Sequence, residues 1–180
     1  MKGKNMVFIA RSLDGFIAGK NGEIDWLHSV PNPENSDLGY VKFMNQVDAL
    51  VMGRKTFETV CNFDGKWPYK KPVFVLSKTL SSIPKKCKDK AFIVNGSLGD
   101  IIQSIQNQGY DNLYIDGGAT VQSFLNEDLI DEMTITTIPI LLGGGIPLFK
   151  DLDSPLEFEH LRSEIFLSQL VQDTYKRKKA

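Results

Sequence analysis

Two cysteines and two histidines are all that a chain of 180 residues offers toward metal or thiol chemistry. Cys61 and Cys87 lie far apart, outside any CxxC or Cys/His cluster, which argues against a zinc site and a disulfide framework and fits a reducing cytoplasm. His28 and His160 have no partner motif and read as structural or exposed. A GxSxG elbow, an HExxH helix, a GxGxxG turn and a phosphate loop ending in GK[ST] are all missing. Neither sign of charge dominates, with 21 Lys and Arg against 22 Asp and Glu and a net charge of −1, so the basic footprint of a nucleic-acid binder is absent. No apolar run approaches the length of a membrane span, and the run after Met1–Met6 is too short for a signal peptide. The one dense basic run, Lys176–Lys179, reads as a frayed, solvated terminus. What is left is a cytoplasmic, metal-free domain that engages neither nucleic acid nor membrane.

What is present is ordinary globular composition, 42% apolar and 24% charged, enough for one domain spanning residues 1–180. Short apolar runs at Met6–Ala10, Ala49–Met52, Pro72–Ser77, Ala91–Val94 and Leu113–Ile115 predict strands. Helical spacing predicts helices over Leu38–Gln46, from Thr56, from a Ser97 cap to Gly109, and through Leu125. Beyond Glu132 the pattern changes to half-exposed alternation in "EMTITTIPILL", Leu156–Phe166 and Leu170–Lys176, with no helix between. The expected architecture is α/β, a mostly parallel central sheet with helices on both faces and antiparallel strands added at the C-terminal end.

Three strand ends could hold an anion. In "DALVMGRKTFE" a buried run reaches Gly53 and turns into a helix, so unpaired amides and the positive helix end stand beside Arg54, Lys55 and Thr56. Surface charges with a Thr cap would look the same. "YIDGGATVQ" repeats the arrangement at Gly117 and Gly118, where a tight turn alone would also suffice. Ser77 and Lys78 follow "VFVL" and are weaker evidence. Taken together, ligand-competent segments at the carboxyl ends of parallel strands suit a long, multiply phosphorylated ligand such as a dinucleotide. Among the acids, Asp116 beside the paired glycines is best placed to face a cleft. Asp25 could reach a substrate or stay a solvated loop acid, and Asp14 is most simply a turn residue. Gly143–Gly145 reads as a flexible loop, either a lid or a long connection.

The order "SLDGFIAGKNGEIDWL", "VMGRKTFE", "VFVLSK", "YIDGGATVQSFL" and "PILLGGGIPLF" resembles the dihydrofolate reductase superfamily over nearly the whole chain. The closest resemblance is to stand-alone relatives of the C-terminal reductase domain of the riboflavin-biosynthesis deaminase-reductase. That resemblance implies the three-layer dihydrofolate-reductase-like fold, a homodimer, and NADPH as the long anionic ligand. It implies that Gly53, Arg54, Lys55 and Thr56 hold phosphates, with Arg54 or Lys55 near the adenosine 2′-phosphate. Leu76, Ser77 and Lys78 would flank the adenosine end, Gly117, Gly118, Ala119, Thr120 and Val121 would cradle the pyrophosphate, and Ala10 and Ile17 would line the nicotinamide. On the substrate side Trp26 and Thr136 are the expected contacts, and Asp25, Asp116 or an ordered water is the expected proton source. The implied activity is hydride transfer to a small heterocycle, as in reduction of 5-amino-6-(5-phosphoribosylamino)uracil or of a pterin. Two departures shape that expectation. The acid that folate reductases carry shortly after the tryptophan is missing from Leu27-His-Ser-Val-Pro-Asn-Pro33, with Glu34 and Asp37 further along. The DDPxLT stretch of the riboflavin reductases is also missing. An inactive NADPH-binding sensor or resistance protein and a true dihydrofolate reductase are the alternatives.

Overall fold

A computed structural model describes residues 3–63 and 67–179. Its elements run β1 (Asn5–Ser12), β2 (Phe16–Ala18), α1 (Tyr40–Met44), β3 (Ala49–Gly53), α2 (Arg54–Asn62), β4 (Val73–Leu76), β5 (Ala91–Val94), α3 (Leu98–Gln106), β6 (Leu113–Asp116), α4 (Gly118–Asn126), β7 (Glu132–Ile138), β8 (Ile146–Pro147), β9 (Phe158–Phe166) and β10 (Leu170–Arg177). Short 3-10 helices add Asp25–His28 and Lys85–Cys87.

Eight strands form one sheet in the order β5-β4-β3-β6-β1-β7-β10-β9, while β2 and β8 pair separately. Ala49, Leu50, Val51 and Met52 of β3 are fully buried, as a central parallel strand covered on both faces requires. Successive side chains alternate between faces. Val51, Ile115 and Val7 pack on one side with Ile101 and Ile105 of α3 and Phe124 of α4. Leu50, Met52 and Tyr114 pack on the other with Phe43 of α1 and Phe57 of α2. Truncating Phe57 or Phe124, both essentially unexposed, would cost about 3–5 kcal/mol.

Four local expectations need correction. The first concerns β7, which is not a half-exposed antiparallel strand. It runs parallel to β1, with Ala10 opposite Thr136, and is largely buried between β1 and β10. Its threonines mimic solvent exposure but bond inward, Thr134 Oγ1 lying 3.2 Å from Thr174 Oγ1 and Thr136 Oγ1 accepting from Gln172 at 2.9 Å. Antiparallel pairing begins only at β10 with β7 and β9. The second is α1, which starts at Tyr40 because Leu38 and Gly39 adopt left-handed φ values of 53° and 83°. The third is α2, which opens at Arg54 and not at Thr56. The fourth is the basic tail. Arg177 belongs to β10 and donates to Asp128 at 2.7 Å, and Lys179 donates to Asp131 at 2.6 Å.

Candidate active site

The parallel strands deliver Gly53, Leu76 and Asp116 to one rim, where Gly53 is the register partner of Leu76 and Met52 of Asp116. Both α2 and α4 begin there from a glycine with no side-chain cap, Gly53 and Gly117. Their first N–H groups are therefore left for a ligand or water. The two helix starts touch. A Cβ on Gly117, whose φ is 89°, would run into the Thr56 hydroxyl, and a Cβ on Gly53 would lie 3.0 Å from Thr120 Oγ1. At position 117 only glycine permits this approach. Ile17 reaches the same place, its Cδ1 filling the space above Gly118.

Around this rim, Arg54 and Lys55 are exposed, Arg54 Nη1 donating to Glu58 at 3.1 Å. Such a surface pair is weak enough for an anion to displace. Ser77 does not offer its oxygen freely, since Oγ accepts from the Thr79 and Leu80 amides at 3.2 and 2.8 Å. Lys78 is exposed. Ala119 is exposed on the first turn of α4, while Thr120 and Val121 are buried against the sheet.

Asp116 ends β6 in partial burial, and burial pushes its carboxyl up to about 6, against the Gly117 N–H, which donates to it at 2.8 Å and favours the ionised form. Tyr114 gives its proton to the Phe8 carbonyl at 2.8 Å. The Tyr40 hydroxyl is pushed up to about 12 by burial and by the charge of Asp116. A carboxyl poised near neutrality among phenols can hold or release a proton under ordinary conditions.

Beside this group lies a cleft of about 670 Å³. Phe8, Ala10, Val30, Asp37, Tyr40 and Thr136 are among its walls. Thus Ala10 and Thr136, register partners on neighbouring strands, share one pocket; Asp116 does not line it, but its charge is felt at Tyr40, which does. Asp25 does not line it; it is exposed at the start of its 3-10 helix. Leu27 and His28 of that helix reach the cleft, whereas Trp26 does not line it; it packs against the apolar cluster of Val30, Ile138 and Leu170 and donates Nε1 to the Glu23 carbonyl at 3.2 Å. Asp37 was masked in the sequence by its distance from Trp26. The loop between them folds back, so that Asp37 caps α1 by accepting from Val41 N at 2.7 Å and Gly39 N at 3.2 Å. An aspartate just ahead of a helical run was the available signal. Tyr40, Tyr69 and Gln172 carried no such signal.

Two further features frame the site. Asp14 is more than a turn residue. It accepts from Ser12 Oγ at 2.5 Å, Gly143 N at 2.8 Å and Leu142 N at 3.2 Å, ties the β1–β2 turn to the Gly143–Gly145 loop, and is held below the usual carboxylate range chiefly by the Ser12 hydroxyl. A smaller cleft of about 490 Å³ at the opposite strand ends is lined by Lys4, Asp131, Glu132 and Lys179. Its charges neutralise one another through the Lys4–Glu132 and Lys179–Asp131 pairs. Among the described residues no group of His, Cys, Asp and Glu could hold a metal, and no helix is long and apolar enough to cross a membrane.

Comparison with known proteins accounts for this arrangement. Residues 4–171 match the model of the RibD C-terminal domain. The chain belongs to the RibD C-terminal domain family. A proposed riboflavin biosynthesis protein from Shewanella sp. PV-4 superposes with a TM-score of 0.95 at 57% identity, over 99% of this chain and 100% of that one. YwjB of Bacillus subtilis, whose function is not characterised, is 37% identical over 98% of this chain and 99% of its own. More distant structures share the fold. The deaminase/5-amino-6-(5-phosphoribosylamino)uracil reductase of Thermotoga maritima gives a TM-score of 0.74 at 15% identity, over 98% of this chain and 57% of that one. Dihydrofolate reductase of Enterococcus faecalis, complexed with NADP(H), gives 0.68 at 19% identity over 99% of both. This member of the RibD C-terminal domain family therefore has a dihydrofolate-reductase-like fold.

Proposed function

We propose that the protein is an NADPH-dependent reductase acting on a small heterocycle of the aminopyrimidine or pterin kind. The observation that carries this reading is the contact between two uncapped, glycine-started helices beside a cleft. The residues fit a phosphorylated nucleotide: the first amides of α2 and α4 face one rim, and Arg54 and Lys55 supply full charges beside them. NADPH, when bound, supplies the hydride.

The chain's own residues do the rest. The α4 start, Gly118 to Val121, holds the pyrophosphate, Arg54 or Lys55 the 2′-phosphate, and Leu76, Ser77 and Lys78 border the adenosine. Ala10 and Ile17 cover the nicotinamide end, and the walls of the cleft orient the acceptor and exclude water. Asp116 holds a proton at its carboxyl, a role its raised pKa suits better than the exposed position of Asp25. Thr136 and Asp37 meet the polar edge of the heterocycle.

Calorimetric titration with NADPH and NADH, followed by nicotinamide oxidation in the presence of aminopyrimidines and pterins, tests the reading. Tight, phosphate-selective binding with oxidation by one class supports it. Binding without oxidation by any acceptor would favour a sensor instead. Ile165 of β9 is 69% exposed, with Leu161 and Val171 also open on the outer strands, and this apolar surface suits a second copy of the chain. Sedimentation should then show a dimer. Cys61 and Cys87, distant in the sequence, are brought together by the fold and buried with their Sγ atoms 3.3 Å apart; as thiols they suit a reducing cytoplasm.

A further inference from the structure

One buried amide, bonded to two residues of the cleft wall though not itself part of that wall, has no part in the mechanism above. Gln172 of β10 is 4% exposed and lies opposite Thr136 in the strand register. Its Nε2 donates to Leu38 O at 3.0 Å and to Thr136 Oγ1 at 2.9 Å. A carbonyl oxygen can only accept, so the contact with Leu38 fixes which end of the amide faces inward. Both amide hydrogens are then committed, one to Leu38 and one to Thr136. Thr136 is consequently the acceptor of that pair, and its own proton has no other partner among the described residues.

We infer that Gln172 is a positioning residue that sets the hydrogen-bond polarity of the cleft, turning the Thr136 hydroxyl into a donor that selects heterocycles with a carbonyl acceptor at that edge. The same amide holds the carbonyl of Leu38 in its left-handed turn, just where Asp37 and Tyr40 enter the cleft wall. Gly39, next to Leu38, has a left-handed φ of 83° and lies beside Gln172 Oε1. Gln172 thus joins the sheet side of the pocket to its loop side. The inference rests on reading the cleft as the acceptor site, and its test is kept apart from cofactor binding and turnover.

The experiment is titration of the purified protein, without NADPH, with 5,6-diaminouracil and with 2,4,5,6-tetraaminopyrimidine, in which both carbonyls are replaced by amino donors. The wild type is expected to prefer the uracil by about tenfold, the scale of one satisfied hydrogen bond against a mismatched one. Gln172→Glu exchanges the donor for an acceptor, so the Thr136 proton turns to the new carboxylate and the preference vanishes or reverses. Gln172→Met keeps the length without the donors and abolishes the preference, deciding the matter if the Glu variant does not fold. Thr136→Val abolishes it as well. Equal binding or no binding of the two probes by the wild type overturns the inference, as does a preference that survives in a folded Gln172 variant. The reductase reading fails on different data, namely absent NADPH binding.

Discussion

Three helices leave the parallel sheet after a strand, and they do not begin alike. α3 starts at Ser97, whose Oγ accepts from the Asp100 amide at 3.2 Å. α2 and α4 start at glycines that give their first amides nothing. The sheet supports all three equally, so the difference lies in what each helix end is for. Where the chain supplies its own acceptor, the end is structural. Where it withholds one at two touching ends, the amides stay open to an acceptor from outside, and the helix dipole favours a negative one.

The strongest way to break that contrast is Gly117→Ala. The new methyl meets Thr56 at a φ of 89°, and NADPH affinity is expected to fall on the order of a hundredfold, about 2.8 kcal/mol, by calorimetric titration. Gly109→Ala is the control: its φ is also 89° but nothing lies within 4 Å, so it should lower the melting temperature and leave binding alone. Unchanged binding in Gly117→Ala would remove α4 from the site.

Asp116→Asn comes next. Its native pKa of about 6 lies above the ordinary 3.8, so the folded chain binds the proton more tightly than the unfolded one. Asp116 therefore weighs least on stability below about pH 4, and stability declines as pH rises through 6. At neutral pH the variant should be more stable than wild type by about 1–3 kcal/mol, with the gain gone near pH 4, while turnover falls by about tenfold or more. Denaturant titrations across pH and initial rates read the two effects, and a variant no more stable at pH 7 contradicts the burial argument.

Arg54→Ala should weaken NADPH by about tenfold, as for one charge-assisted contact, and spare NADH. Equal losses would take the 2′-phosphate away from Arg54. Smallest is Ser97→Ala, expected to lower stability by about 1 kcal/mol with no change in NADPH affinity. A binding defect there would erase the distinction between the capped helix and the open ones.

The legible part of the molecule was the part in which function is local. Gly53-Arg-Lys-Thr56 and Asp116-Gly-Gly118 each announce a strand end, a turn and a helix start within a few residues, and the fold sets them side by side. The cleft was much less legible. Its walls include Phe8, Asp37, Tyr40 and Thr136, with Gln172 bonded to Thr136, and their proximity depends on the return of the loop after Pro31 and on the β7–β10 register. Nor could alternation reveal the direction of β7, because hydroxyls paired across strands look like hydroxyls facing water. The crossover through α4 was the better guide, since a strand reached by way of a helix returns parallel.

Asp14, whose carboxylate binds Ser12 and the amides of Leu142 and Gly143, sits where β2 is laced to β8. That fastening makes two distant stretches of chain a single flap that carries Ile17 against Gly118, so whatever loosens one hem lifts the other.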